Sequence, residues 1–160
     1  MISFHELYSR YAQDVYRFAF WLSGDAAEAE DIASETFVRA WTAFDRLKTQ
    51  TVKAYLFTIA RHLYLQNRKQ KQRQVALDEE LPATTPDPAE RAEARSELDA
   101  IGKVLATLSE VDRAVLLMRA QDGLSYEEIA AAQGITVTAA KVKVHRARLK
   151  LARMRTPEDQ

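Results

Sequence analysis

The chemistry open to this chain is set first by its cations. Lys141, Lys143, Arg146, Arg148, Lys150, Arg153 and Arg155 crowd the C-terminal end, and no acid occurs between Ala139 and Arg155. A second set, Arg61, Arg68, Lys69, Lys71 and Arg73, lies in an acid-free stretch from Lys53 to Leu77, interleaved with Tyr55, Phe57 and Tyr64. Cations track phosphates and aromatic rings stack on exposed bases, so this mixture suits single-stranded nucleic acid. A solvated basic helix end would carry the same residues. The opposite pattern, Glu28, Glu30, Asp31 and Glu35, suits a basic partner, or simply the positive N-terminal end of a helix. The three histidines, His5, His62 and His145, are isolated, and there is no glycine-rich phosphate loop and no G-x-S-x-G. Binding rather than covalent chemistry is expected, with no cofactor and no metal.

These residues need helices to present them. Ala140, Val144, Ala147 and Leu151 recur at i, i+4, i+7 and i+11, which predicts a helix from an N-cap at Thr136 to about Arg155. One face is anchored and the basic face is left free. A shorter helix precedes it, opened by Ser125 with Glu128 three residues on, a capping-box pattern. Gln133-Gly134-Ile135 is then a tight turn, where Gly134 can take a left-handed conformation. An earlier helix starts at Ser109, with Asp112 three residues on, and stops at Asp122-Gly123. A basic helix held on a short glycine turn against a capped partner can enter a DNA major groove.

The N-terminal half reads as three more helices. Phe4, Leu7, Tyr8, Tyr11, Val15, Phe18, Ala19 and Leu22 line one face of residues 3–22, and Ser23-Gly24 breaks the helix. Asp25 caps the next, which runs to about Phe44 with Ile32, Ala33, Thr36, Phe37, Ala40, Trp41 and Phe44 as its buried stripe. After a polar connector, Asp45–Thr51, a third helix spans about Val52 to Gln72, with Val52, Tyr55, Leu56, Ile59, Ala60 and Leu63 inward. Pro82, Pro86 and Pro88 then forbid a continuous helix, and acids dominate over Asp78–Glu97. The expected fold is all-α: two small helical domains, residues 1–73 and 96–155, joined by a flexible acidic linker over 74–95 and followed by a short tail, 156–160.

The chain has 160 residues, with 47% hydrophobic and 29% charged residues, ordinary for a globular protein. Its formal net charge of zero conceals the segregation just described. It has no cysteine, so neither disulfides nor thiolate metal sites are open to it. The start MISFHELYSRYAQD lacks a signal-peptide layout and no apolar run is long enough for a bilayer, so a cytoplasmic protein without membrane insertion is expected. No further regulatory module is expected after the tail.

The motifs carry a specific resemblance. GLSYEEIA, followed after the turn by AKVKVHRARLKL, closely resembles region 4 of the extracytoplasmic-function (ECF) sigma factors of the sigma-70 family. Asp31-Ile32-Ala33-Ser34-Glu35-Thr36-Phe37 is similar to the family's D-x-x-Q-E-x-F motif in region 2.2, with Ser34 where glutamine is usual. AYLFTIARHLYLQNRK resembles the AWLFRIARNLAIDxxR pattern of regions 2.3 and 2.4, with His62 in place of asparagine and Gln66 in place of aspartate. Ala140 and Val142 stand where the family commonly has valine and serine.

The resemblance implies a sigma factor whose partners are core RNA polymerase and promoter DNA. It implies that Asp31, Ser34, Glu35 and Phe37 dock on the polymerase. It implies that Tyr55, Arg61, His62, Gln66, Arg68 and Lys69, with Lys48 and Thr49 in a capture loop over Leu47–Val52, open and hold the −10 element. On the −35 element, Lys141, Val142, His145 and Arg146 would face base edges. Thr138, Lys143 and Arg148 would sit nearer phosphates, with Thr136 at the helix start. It also implies that the acidic linker occupies the polymerase's RNA exit path and that an anti-sigma factor holds the chain inactive. A stand-alone helix-turn-helix regulator explains the C-terminal half equally well but leaves the acidic motif and the basic aromatic helix as coincidences.

Overall fold

In the computed structural model, residues 3–43, 52–77 and 100–155 are described, and among them the secondary structure is helical throughout. Local caps set the boundaries. Helix α1 (Phe4–Ser23) begins where Ser3 accepts a hydrogen bond from the Glu6 N–H, and it ends on Gly24 at φ 74°. Helix α2 (Ala26–Thr42) begins where Asp25 accepts from the Glu28 N–H. Helix α3 (Val52–Leu77) is five residues longer than its apolar pattern predicts. The pattern ends where packing ends, but nothing before Pro82 breaks a helix, so α3 continues as a solvated rod with Val75 68% exposed. The first residues of the predicted linker, 74–77, are therefore helical. Its remainder lies outside the described residues.

Three aromatic contacts show how the N-terminal helices are held. Phe18 of α1 and Phe57 of α3 are fully buried and stack with ring centroids 4.7 Å apart. Tyr8 meets Phe37 of α2 edge-on at 5.1 Å. Phe4, Tyr8 and Trp41, expected in the core, remain partly exposed and form a rim, with Phe4 against Trp41 at 5.3 Å.

The C-terminal domain starts with a helix over residues 100–106 (α4). Ser109 then caps α5 (Glu110–Leu116) through the Asp112 N–H. The predicted single helix to Asp122 changes character midway, because Leu117–Gln121 is a wider π-helical turn. Every residue from Arg113 to Met118 is buried, since α5 is packed against α1, α6 and α7 together. One-sided periodicity could not show that. Helices α6 (Tyr126–Gln133) and α7 (Val137–Arg155) complete the fold.

The two domains share one apolar core that runs from Leu7 and Phe18 to Val144 and Ala147. Arg113, 9% exposed, donates to main-chain carbonyls on both sides: Leu105 and Leu108 in its own domain, and Leu22 at the end of α1. Lys53 donates to the Asp122 carbonyl at 3.0 Å and lies 3.6 Å from the Asp14 carboxylate.

Asp122 at this seam has a buried carboxylate with no hydrogen-bond partner among the described residues. Burial pushes its pKa from 3.8 up to about 7; the Lys53 ammonium opposes that rise, Asp14 adds to it and Arg17 opposes it. A folded-state pKa raised above the unfolded value gives stability that is full below the unfolded pKa. That stability is lost as pH climbs through the folded pKa. Asp122→Asn is therefore expected to leave thermal stability unchanged near pH 4 and to raise Tm at pH 8, by on the order of 2–4 °C. Melting curves at the two pH values check this. An equal shift at both would show that ionisation is not the cause.

Candidate functional site

The predicted helix-turn-helix forms as the sequence dictates. Ser125 and Glu128 close a reciprocal capping box at the start of α6. Gly134 takes φ 66° and lets the Ile135 N–H reach the Ala130 carbonyl at 3.0 Å. The Thr136 hydroxyl caps α7 by accepting from the Ala139 N–H at 3.0 Å. Ala140, Val144 and Ala147 are buried at i, i+4 and i+7. That leaves Thr136, Thr138, Lys141, Val142, His145, Arg146 and Arg148 exposed, with Lys143 half-buried at the edge. Val142 is 46% exposed and offers an apolar patch among the cations.

Among the described residues, no hydrogen bond or ion pair engages Arg146, so its guanidinium stays available for an external acceptor. Lys141 lies 5.8 Å from the Tyr126 ring centroid, and Arg119 covers the same ring at 4.4 Å. Tyr126, directly after the Ser125 cap, thus positions two cations at the base of α7. No local signal marked it, because its sequence neighbours Glu127 and Glu128 are acidic and the two cations stand seven and fifteen residues away. Lys150, by contrast, donates to the Thr107 carbonyl at 2.7 Å and serves the domain rather than the open face.

The acidic motif is split by the helix period. Asp31, Ser34 and Glu35 are exposed on α2 and line a shallow hollow of about 400 Å³, completed by Ile32, Val38, Leu63 and Asn67. Glu35 pairs with Arg39 one turn on, at 3.1 Å and half in solvent, a contact worth little and easily exchanged. Phe37 departs from its predicted contact role. It is 1% exposed and packed on Tyr8, so in this structure it supports the face from beneath and offers nothing to a partner. Glu28 also leaves the acidic face, because Lys71 of α3 holds it at 3.0 Å.

On α3, His62, Gln66 and Lys69 are exposed at i, i+4 and i+7, with half-buried Tyr55 two turns before them. Arg68 is exposed and leans on Tyr64, with its guanidinium 5.8 Å from the ring centroid and 3.2 Å from the hydroxyl. Two rings expected to stack on bases are buried instead: Phe57 fills the core against Phe18, and Tyr64 packs at the seam. Their i, i+4 and i+7 partners Leu56, Ala60 and Leu63 draw that side inward. Arg61, predicted to face DNA, is held by Glu110 of α5 through two parallel bonds of 2.6 and 3.0 Å. Lys48 and Thr49 lie outside the described residues. Groups of three or more His, Cys, Asp or Glu able to hold a metal are absent among the described residues. No described helix is long and apolar enough to cross a membrane.

Comparison with known proteins matches both halves of the chain to one family. The model of Sigma-70 region 2 matches residues 7–74 and that of Sigma-70, region 4 matches residues 98–151. The chain is 34% identical over 157 residues to the ECF RNA polymerase sigma factor SigE of Mycolicibacterium smegmatis, covering 94% of this chain but only 61% of that protein. It is 32% identical over 143 residues to ECF RNA polymerase sigma factor SigL of Mycobacterium tuberculosis, covering 87% of this chain and 81% of that one. Among solved structures, the sigma factor RpoE of Bartonella quintana, in complex with the anti-sigma factor NepR, superposes with a TM-score of 0.77 at 27% identity, over 92% of this chain and 93% of that one. The chain belongs to the ECF sigma factors of the sigma-70 family.

Proposed function

We propose that this chain binds core RNA polymerase and directs initiation at promoters by recognising a −10 and a −35 element. The observation that carries this is the presence, in one chain, of three separate surfaces. They are the exposed acid pair of α2, the basic face of α3 and the cationic face of α7 on a helix-turn-helix. A regulator that bound duplex DNA alone would need only the third.

Each surface has a physical task. Asp31 and Glu35, with the Ser34 hydroxyl between them, dock on a basic element of the polymerase, and Val38 adds apolar contact beside them. Helix α7 enters the major groove at the −35 element. Lys141, Val142, His145 and Arg146 face base edges there, while Thr136, Thr138, Lys143 and Arg148 reach phosphates. His62, Gln66, Arg68 and Lys69, with Tyr55 and the Lys48–Thr49 segment, track the −10 strand once it is opened. Extruding a base costs a few kcal/mol, which contacts in a pocket offset. The chain acts by binding, without covalent chemistry of its own, in the cytoplasm where polymerase and promoters are. The assignment of residues 74–95 as an acidic tether between the two DNA-binding domains, reaching into the RNA exit path, belongs to the same reading. So does control by an anti-sigma factor.

Arg146 gives the direct test of the α7 assignment. Arg146→Ala is expected to weaken binding to the −35 element by about 1–3 kcal/mol and to relax discrimination at one base position. Initiation from a set of single-base promoter variants measures this. Equal weakening across all of them would make Arg146 a phosphate contact.

A further inference from the structure

Core packing does not explain Val142. At about 100° per residue it stands nearly opposite the buried Ala140, Val144 and Ala147, at the crest of the outward face of α7. It is 46% exposed and lies outside the apolar core. Thr138 stands one turn before it, and His145 and Arg146 one turn after, all exposed. Each of those three can exchange hydrogen bonds with a ligand, whereas Val142 can neither give nor take one. A β-branched residue is also a poorer helix former than alanine or arginine, so α7 gains nothing from it. Neither packing nor helix propensity accounts for a valine at this point.

What such a side chain can recognise follows from what a major groove displays. Base edges there carry hydrogen-bond donors and acceptors and one apolar group, the C5 methyl of thymine. A side chain without polar atoms has that methyl as its matching surface. The stiffness of valine suits the contact. In a helix it keeps essentially one χ1 rotamer, so the backbone fixes where its two methyls stand and little entropy is lost on docking. Its place along the helix suits the contact too. A recognition helix lays its N-terminal residues against base edges, and Val142 is the sixth residue of α7. Leu149, 45% exposed, shares the outward face but stands two turns further on.

We propose that Val142 reads the C5 methyl of a thymine in the −35 element and makes that position selective for thymine. Arg146, four residues on, is displaced by about 6 Å along the helix axis, and successive base pairs lie about 3.4 Å apart, so the thymine stands within about two base pairs of the base that Arg146 contacts. This inference rests on the −35 reading of α7 and adds to it the chemistry of one base.

The test removes single methyl groups from the DNA. The −35 element is first selected by initiation from a promoter library with core polymerase and the full chain. Each thymine of that element, on either strand, is then replaced singly by deoxyuridine, which keeps the O4 acceptor and the base pairing and loses only the methyl. At one position wild type, at limiting protein, is expected to initiate about fourfold less well from the uracil template, the worth of one buried methyl group. Val142→Ala is expected to lose that preference and to initiate equally from both templates. Val142→Ile, which keeps the branched methyl, and Leu149→Ala are expected to retain it. Val142 is exposed, so Tm should be unchanged in all three variants. A selected element without thymine, equal initiation by wild type from thymine and uracil templates at every position, or a preference that Val142→Ala retains unchanged would each overturn the proposal. If no −35 sequence is selected at all, the promoter reading of α7 is refuted, and the thymine contact with it.

Discussion

Phe18→Ala is expected to unfold a large fraction of this protein at physiological temperature. Phe18 is fully buried and stacks on Phe57, so its ring ties α1 to α3 at the centre of the N-terminal domain. Removing a buried phenyl group costs about 3–5 kcal/mol, from lost transfer energy and from the cavity left behind. Whole domains are stable by only about 5–15 kcal/mol. The acid face of α2 and the basic face of α3 both rest on this packing, so polymerase binding and promoter opening should fail together with stability. Urea denaturation of the variant measures the loss. A change below about 1 kcal/mol would mean that the ring is not the central packing element described here. Phe18→Leu, which keeps most of the volume, should recover much of the stability.

The second large effect should appear in binding with no change in fold. Asp31 and Glu35 are exposed, and the ion pair that Glu35 makes with Arg39 is a surface contact. Replacing both by alanine should alter stability by no more than about 0.5 kcal/mol. If they meet basic groups that lose water on docking, truncation costs about 2–5 kcal/mol in affinity, which is roughly thirtyfold or more. Titration of labelled variant onto core polymerase reads this, with Tm as the control for folding. Loss of affinity at unchanged Tm supports the docking role. Unchanged affinity would return the acids to the bland reading, as charges that merely suit a helix N-terminus.

The helical architecture was largely legible because its boundaries are local. Ser109, Asp25, Ser125, Thr136 and Gly134 act within four residues of where they stand, and each caps or ends a helix where the sequence predicts it. The exposed cations of α7 followed from the same logic, since Ala140, Val144 and Ala147 fix which side is buried. What escaped is non-local. That Arg61 would be held by Glu110, 49 residues away, depends on how two domains meet, and no spacing in one helix encodes it. Nothing in the spacing of α5 singles out Arg113, which donates to three main-chain carbonyls from two domains. The burial of Phe37 was legible, because the helix period puts it in one stripe with Thr36 and Ala40; only the resemblance to the family motif implied a contact with polymerase. The turn Leu117–Gln121 reflects packing on several sides, which an apolar period cannot signal.

The central claim is that this chain gives core RNA polymerase its choice of promoter. Transcription from a randomised promoter library, with purified core polymerase in the presence and absence of the chain, tests it most directly. The account predicts initiation at a restricted set of sequences only when both are present, with two separated elements enriched among the transcribed templates. Binding of duplex DNA by this chain alone, with no effect on the templates that polymerase transcribes, would contradict it and leave a stand-alone DNA-binding regulator.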